Sequence, residues 1–173
     1  MLGRFVAALQ EEWPVHRAER TATAEARSAQ LAAATRTWDG QVAPAAQSCL
    51  RAERLDAGVV LAVPALGAEG RLFAGDPGDR RDNVVAVALD PASDGEVVAW
   101  LALKELAFPA ARRALEAAGQ LPADRVAAEQ LTGRAAVHLG AMIVQRSAPP
   151  AADRYRAALA RSAGCDTSLD SCL

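Results

Sequence analysis

The chain is poor in aromatic residues and in lysine, and neither sign of charge is in strong excess. Phenylalanine, tryptophan and tyrosine make up 4% of the 173 residues although 51% are hydrophobic, so a core has to be built mainly from alanine and aliphatic side chains. This composition favours closely packed helices and excludes a chain that is disordered throughout. With 19 basic and 21 acidic side chains, the protein has no net field to hold nucleic acid, and no nucleic-acid partner is expected.

The sequence also lacks a segment long and apolar enough to cross a bilayer. Its longest apolar stretch, residues 58–68, is about half of the roughly 20 residues that a crossing needs, and it contains Pro64. The opening residues carry one arginine and a short apolar core followed by Glu11 and Glu12, unlike a secretory signal. We therefore expect a cytoplasmic protein with no transmembrane segment. Peripheral attachment to a membrane or a membrane complex stays open.

Cysteine is scarce, and the three residues do not make a disulfide framework, which agrees with a reducing compartment. Cys165 and Cys172 could pair within the C-terminal tail, or could form an incomplete metal site with Cys49. Tetrahedral zinc takes four ligands at tighter spacing, so we expect neither a metal nor another cofactor. Residues 165–173 are interpreted as a flexible tail.

The first 57 residues are predicted to form an N-terminal helical arm. Its first helix has an apolar stripe at i, i+3, i+4, i+7 and i+11, formed by Leu2, Phe5, Val6, Leu9 and Trp13. Little chain at this end is left to cover the stripe, so these five are the candidate partner-binding residues. The stripe could instead pack on the protein's own sheet. Residues 38–40 predict a break, after which residues 42–55 form a helix that ends before Gly58.

The hydrophobic pattern changes after Gly58, where short β-branched runs replace the helical period. Residues 59–63, 71–74 and 83–89 predict two or three strands of one small sheet. The connector 75–83 is predicted to be a polar hairpin turn, because its aspartates lack the spacing of a calcium loop.

Three helices are predicted to follow the sheet. They span residues 96–118, which Ser93 or Asp94 can cap and Gly119 ends, then residues 123–146, and then residues 149–162. The first has large apolar side chains on more than one side and is expected to be central; in the last, Tyr155 and Leu159 are expected to face inward. The order of elements predicts an α+β fold, with N-terminal helices, a small two- or three-stranded β-sheet and three C-terminal helices. The core is assigned to residues 58–164.

The most apolar helix carries Lys104 and Glu105 at its centre. Burying a charge is costly unless it is paired, so Lys104 is expected to reach solvent or to pair with Glu105 or another acid. The order of strand, short turn and helix around this pair resembles the small zinc metallopeptidases of the gluzincin type, whose helix carries His-Glu-x-x-His. Lys104 and Phe108 stand where that family has its two ligating histidines, and Glu105 stands where it has its general base.

The resemblance covers residues 58–148 and also places residues 134–142 where the family has the helix that supplies a third ligand. It implies a gluzincin-like fold whose metal site is lost, because an ammonium and a phenyl ring cannot replace two imidazoles around zinc. The implied protein is a pseudoenzyme rather than a protease.

His138 lies on the next apolar helix and is expected to be a core histidine with one hydrogen-bond partner. If the two helices face each other, Glu105, His138 and Lys104 could form an acid–base cluster. The sequence contains no phosphate loop, nucleophile elbow, Cys-x-x-Cys pair or dinucleotide fingerprint. It therefore predicts a noncatalytic accessory or interaction protein with a protein partner, such as a subunit that stabilises a larger assembly. The alternative is a metal-free or divergent hydrolase that uses Glu105 with His138 or Lys104.

Overall fold

A computed structural model describes residues 27–63, 66, 70–76, 82–88 and 94–162 of the chain. They form α1 (residues 27–37), a π-helical turn (Trp38–Val42), α2 (Ala43–Ala52), β1 (Val59–Val63), β2 (Gly70–Phe73), β3 (Val84–Ala88), α3 (Gly95–Ala117), α4 (Arg125–Ser147) and α5 (Pro149–Ser162). This order of elements confirms the predicted α+β fold. Within the described ranges, no helix combines the length and the apolarity that would let it span a membrane.

The predicted break at residues 38–40 is wrong, because the chain stays helical there. A π-helical turn, Trp38–Val42, joins α1 directly to α2 and accommodates Gly40 within the helix. The helix then ends at Ala52, earlier than the predicted residue 55, because Arg54 adopts a left-handed conformation with φ 60°. Gly58, with φ 146°, completes the turn into β1.

The described part of the N-terminal arm contributes to the same core as the sheet and α3. Its buried side chains in that core are Ala34, Val42, Ala46, Leu50 and Leu55. The boundary assigned at residue 57 stays a prediction, as does the assignment of residues 58–164 as the α+β core. The apolar stripe of Leu2, Phe5, Val6, Leu9 and Trp13 lies outside the described residues, and so do Cys165 and Cys172 in the tail.

The sheet has three strands in the order β1-β3-β2. The two consecutive strands β2 and β3 pair antiparallel, as a hairpin requires, while β1 joins the other side of β3 in parallel. The predicted strand positions are confirmed to within one residue at each end. The central strand β3 is the most buried, and its Val85 and Val87 pack into the core with α3.

Asn83, directly before β3, ties the turn after α2 to the sheet. Its side-chain Nδ2 donates hydrogen bonds of 2.9 Å to the carbonyl oxygens of Arg54 and Ala57, and its Oδ1 accepts one of 2.9 Å from the N–H of Gly75. Its own carbonyl oxygen accepts from the N–H of Val59 at 2.8 Å. One buried amide therefore fixes the position at which β1 begins.

The helix α3 is the centre of the molecule, as predicted. It contacts the sheet, α2, α4 and α5, and it buries side chains on most of its circumference, including Trp100 and Leu103. Asp94 occupies the N-cap position, although its side chain makes no capping hydrogen bond, and Gly119 follows the C-terminus with φ 65°.

The helices α4 and α5 close the other side of α3. The side chain of Asp124 caps α4 by accepting from the N–H of Ala127 at 2.8 Å. Tyr155 and Leu159 of α5 face inward as expected, and the ring of Tyr155 meets that of Trp100 edge-on with centroids 5.7 Å apart.

Candidate functional site

The charged pair at the centre of α3 is a closed ion pair. Lys104 Nζ lies 3.2 Å from Glu105 Oε1, with side chains 26% and 11% exposed, which confirms the predicted pairing. The carboxylate of Glu105 lies directly over Gly70 of β2, where a β-carbon would stand 2.6 Å from its Oε1. Lys104 therefore supplies the positive charge that allows this carboxylate to be buried.

The neighbouring helix places no metal-ligating side chain against this pair. Phe108, at the position of the second histidine in the resemblance, packs with Ala135 and Leu139 of α4 around a small cluster of alanines. In the described part of the chain, no group of three or more histidine, cysteine, aspartate or glutamate side chains is placed to hold a metal ion. The contact between α3 and α4 is thus an apolar one.

The expectation that His138 lies in the core is wrong, because the side chain is exposed. The face of α4 that packs on α3 contains Ala135, Ala136 and Leu139, whereas His138 shares the solvent face with Met142. Glu105 is buried on the sheet side of α3 against Gly70, so the fold does not bring His138 to it. The acid–base cluster of Glu105, His138 and Lys104 is not assembled.

Cys49 is a free, half-buried thiol on α2. Burial raises its pKa, and the nearby guanidinium of Arg113 partly opposes that shift. A raised pKa keeps the thiol protonated and therefore a weak nucleophile at neutral pH.

A groove that no sequence motif predicted lies along β1. It runs between this strand and the continuous helix of α1, the π-helical turn and α2, and it contains a cavity of about 490 Å³ and another of about 170 Å³. Trp38 and Val60 line both cavities, so the two are neighbours along one groove. The larger one is also lined by Leu50, Leu55, Asn83, Val85 and Leu106.

The outer edge of β1 has no strand paired to it among the described residues. The N–H of Val59 bonds to Asn83 beside β3, and successive residues of a strand alternate the direction of their amide groups. Leu61 therefore also faces β3, whereas the N–H and C=O groups of Val60 and Ala62 point to the free edge. Both of these residues line the groove.

The outer face of the sheet, away from α3, exposes apolar side chains. Cross-strand partners share a face, and Val59 and Phe73 are both partners of Val84, so their side chains lie on the same side. On this face Val59 is 51% exposed, Leu61 47% and Phe73 58%. Exposed apolar residues thus adjoin the free edge.

Comparison with known proteins gives no assignment: no protein-family model matches the chain, and neither a curated protein nor a solved structure matches it significantly.

Proposed function

We propose that the protein is a noncatalytic interaction module that binds an extended segment of a partner protein along the free edge of β1. The observation that carries the proposal is the outward direction of the amide groups of Val60 and Ala62 at the wall of the groove. An added strand would lie about 4.8 Å from β1, at hydrogen-bonding distance from these groups.

The groove beside β1 supports this mode of binding. Alternate side chains of an added strand would enter the groove next to Trp38, and the others would join Val59 and Leu61 on the outer face. Main-chain hydrogen bonds would then supply affinity, while the groove would supply specificity.

This role agrees with an accessory subunit that stabilises a larger assembly in the cytoplasm. In the proposal, α3 belongs to a gluzincin-like fold that has lost its metal site: Lys104 neutralises Glu105, and Phe108 packs between helices. The stripe of Leu2, Phe5, Val6, Leu9 and Trp13 stays a second predicted contact for the same partner.

The hydrolase alternative needs Glu105 to act with His138 or Lys104. His138 is exposed on the far face of α4, and Glu105 is already engaged by Lys104 and covered by Gly70. A general base must reach its substrate within hydrogen-bonding distance, and Glu105 is not placed to do so. These contacts favour the interaction module.

The test is a selection of random dodecapeptides on the full-length protein, repeated on the Val60→Pro variant. Proline at position 60 removes an outward N–H and leaves the bonds between β1 and β3 in place. Peptides selected on the wild type should bind Val60→Pro about tenfold more weakly, because they lose a main-chain bond and meet the proline ring. Ala62→Pro should have the same effect, and Val126→Asp, an exposed site on α4, should have none.

Amide hydrogen exchange gives an independent readout. Bound peptide should slow exchange at Val60 and Ala62, while Leu61, bonded to β3, should be slow with or without peptide. Failure to select any peptide, or equal binding to wild type, Val60→Pro and Ala62→Pro, would contradict the proposal.

A further inference from the structure

Three charged side chains of described residues line the larger cavity of the groove. Asp39, Asp56 and Arg51 all contribute to its wall. Arg51 Nε lies 4.0 Å from Asp56 Oδ2, so these two side chains form an ion pair. Asp39 is exposed and forms no ion pair with a lysine or arginine of the described residues, so none of them neutralises its negative charge.

An aromatic ring stands next to that charge in the same wall. Trp38 directly precedes Asp39 in the π-helical turn and lines the cavity with it, while Val60 forms the opposite side. A carboxylate beside an indole suits a long cationic side chain, whose methylene groups pack on apolar surface while its head meets the negative charge. A volume of about 490 Å³ leaves room for such a side chain.

We propose that the segment bound along β1 carries a lysine or arginine that enters this cavity and pairs with Asp39. This inference rests on the proposed function and adds the partner's chemistry: an extended apolar segment with a basic residue at one inward position. The uncharged strand β1 accepts the apolar residues, and the carboxylate of Asp39 selects the basic one. An acidic residue at the same position is repelled by the carboxylate of Asp39.

The peptide selection described above tests this when it is also run on Asp39→Asn. Only peptides whose binding depends on Val60 are counted. On the wild type, lysine and arginine should be enriched over aspartate and glutamate at one position, and on Asp39→Asn this enrichment should disappear. Glu129→Gln, which removes an exposed acid of α4, is the matched control and should retain the enrichment.

The selected peptide is then compared with a version in which norleucine replaces the basic residue. The basic peptide should bind about two- to fivefold more tightly at low salt, an advantage that falls as salt is added and is absent in Asp39→Asn. The assignment of a basic segment is wrong if the peptides that depend on Val60 are as rich in acidic as in basic residues. It is also wrong if the basic peptide keeps its advantage over the norleucine peptide in Asp39→Asn. Either result would leave binding at the edge of β1 in place. If no peptide depends on Val60, it is the interaction module itself that fails.

Discussion

Replacing Asn83 should destabilise the protein more than its size suggests, because this one amide connects three segments. Among the described residues, its side chain has three hydrogen-bond partners: it donates to the carbonyl oxygens of Arg54 and Ala57 and accepts from the N–H of Gly75. At about 1 kcal/mol of net stability for each such bond, Asn83→Ala should lower the free energy of unfolding by roughly 3 kcal/mol. For a chain of this size, that corresponds to a fall in Tm of roughly 6–12 °C.

Asn83→Asp separates the contribution of the donors from that of the side chain's volume. At neutral pH its carboxylate would face the carbonyl oxygens of Arg54 and Ala57, so we expect a loss at least as large as in Asn83→Ala. Protonation restores one donor, and the folded Asp variant should therefore bind its proton more tightly than the unfolded one. Its stability relative to Asn83→Ala should rise as the pH falls towards about 4.

Urea unfolding followed by circular dichroism, at pH 7 and near pH 4, measures both effects. Asp82→Ala is the matched control, because Asp82 is exposed and directly precedes Asn83. The reasoning is refuted if Asn83→Ala and Asn83→Asp cost no more than Asp82→Ala, or if Asn83→Asp shows no relative gain at low pH.

Two further predictions concern packing around α4 and α5. A β-carbon at Gly133 would meet nothing within 4 Å, so Gly133→Ala should raise the free energy of unfolding by about 0.5–1 kcal/mol, whereas Gly140→Ala would overlap the hydroxyl of Tyr155 and should lower it. Thermal melts of the two variants should therefore shift in opposite directions, and shifts of the same sign would count against the packing. Tyr155→Phe should cost nothing at pH 7, or should add up to about 1 kcal/mol, since the buried hydroxyl has no hydrogen-bond partner among the described residues. Burial, with a smaller contribution from Glu105, raises the pKa of Tyr155 in the folded state, so wild-type stability should fall as the pH rises above about 10, and Tyr155→Phe should lose that dependence. Because the chain has a single tyrosine, absorbance of tyrosinate during unfolding at high pH reports on this group alone.

The sequence predicted those features of the fold that have local causes. Gly119 follows the end of α3 and Pro149 begins α5, and each of these signals acts within one turn of the helix it delimits. The start of α4 was predicted two residues too early, at residue 123, because the cap that Asp124 provides was not recognised. The β-branched runs likewise located the three strands. The π-helical turn was missed because Asp39 and Gly40 favour a break by propensity, whereas packing of Trp38 and Val42 against the core keeps the segment helical.

The candidate site depended on contacts that no local pattern encodes. Alanines lie on several sides of α4, so the hydrophobic periodicity did not indicate which side of the helix faces α3. His138 was therefore assigned to the core, although it lies on the solvent-exposed side. The groove brings Trp38 beside Val60, which is distant in sequence, and only the folded chain shows that they share a cavity. The pairing of Lys104 with Glu105 was predictable because the two are adjacent and a buried charge needs a partner.

The sequence of the strand β1 does not match its position in the sheet. Its five residues are apolar on both faces and contain no charge or proline, a pattern typical of a strand covered on both sides and flanked by neighbours. Yet β1 is an edge strand in the described structure, with Val59, Val60 and Leu61 between 40% and 51% exposed. Sheet edges that remain free in solution are often protected by lysine, proline or a bulge, and residues 59–63 contain no lysine or proline. The sequence of β1 is thus typical of an interior strand, although β1 lies at an edge. Its outward N–H and C=O groups would be hydrogen-bonded if another segment paired with it, as the proposed function requires.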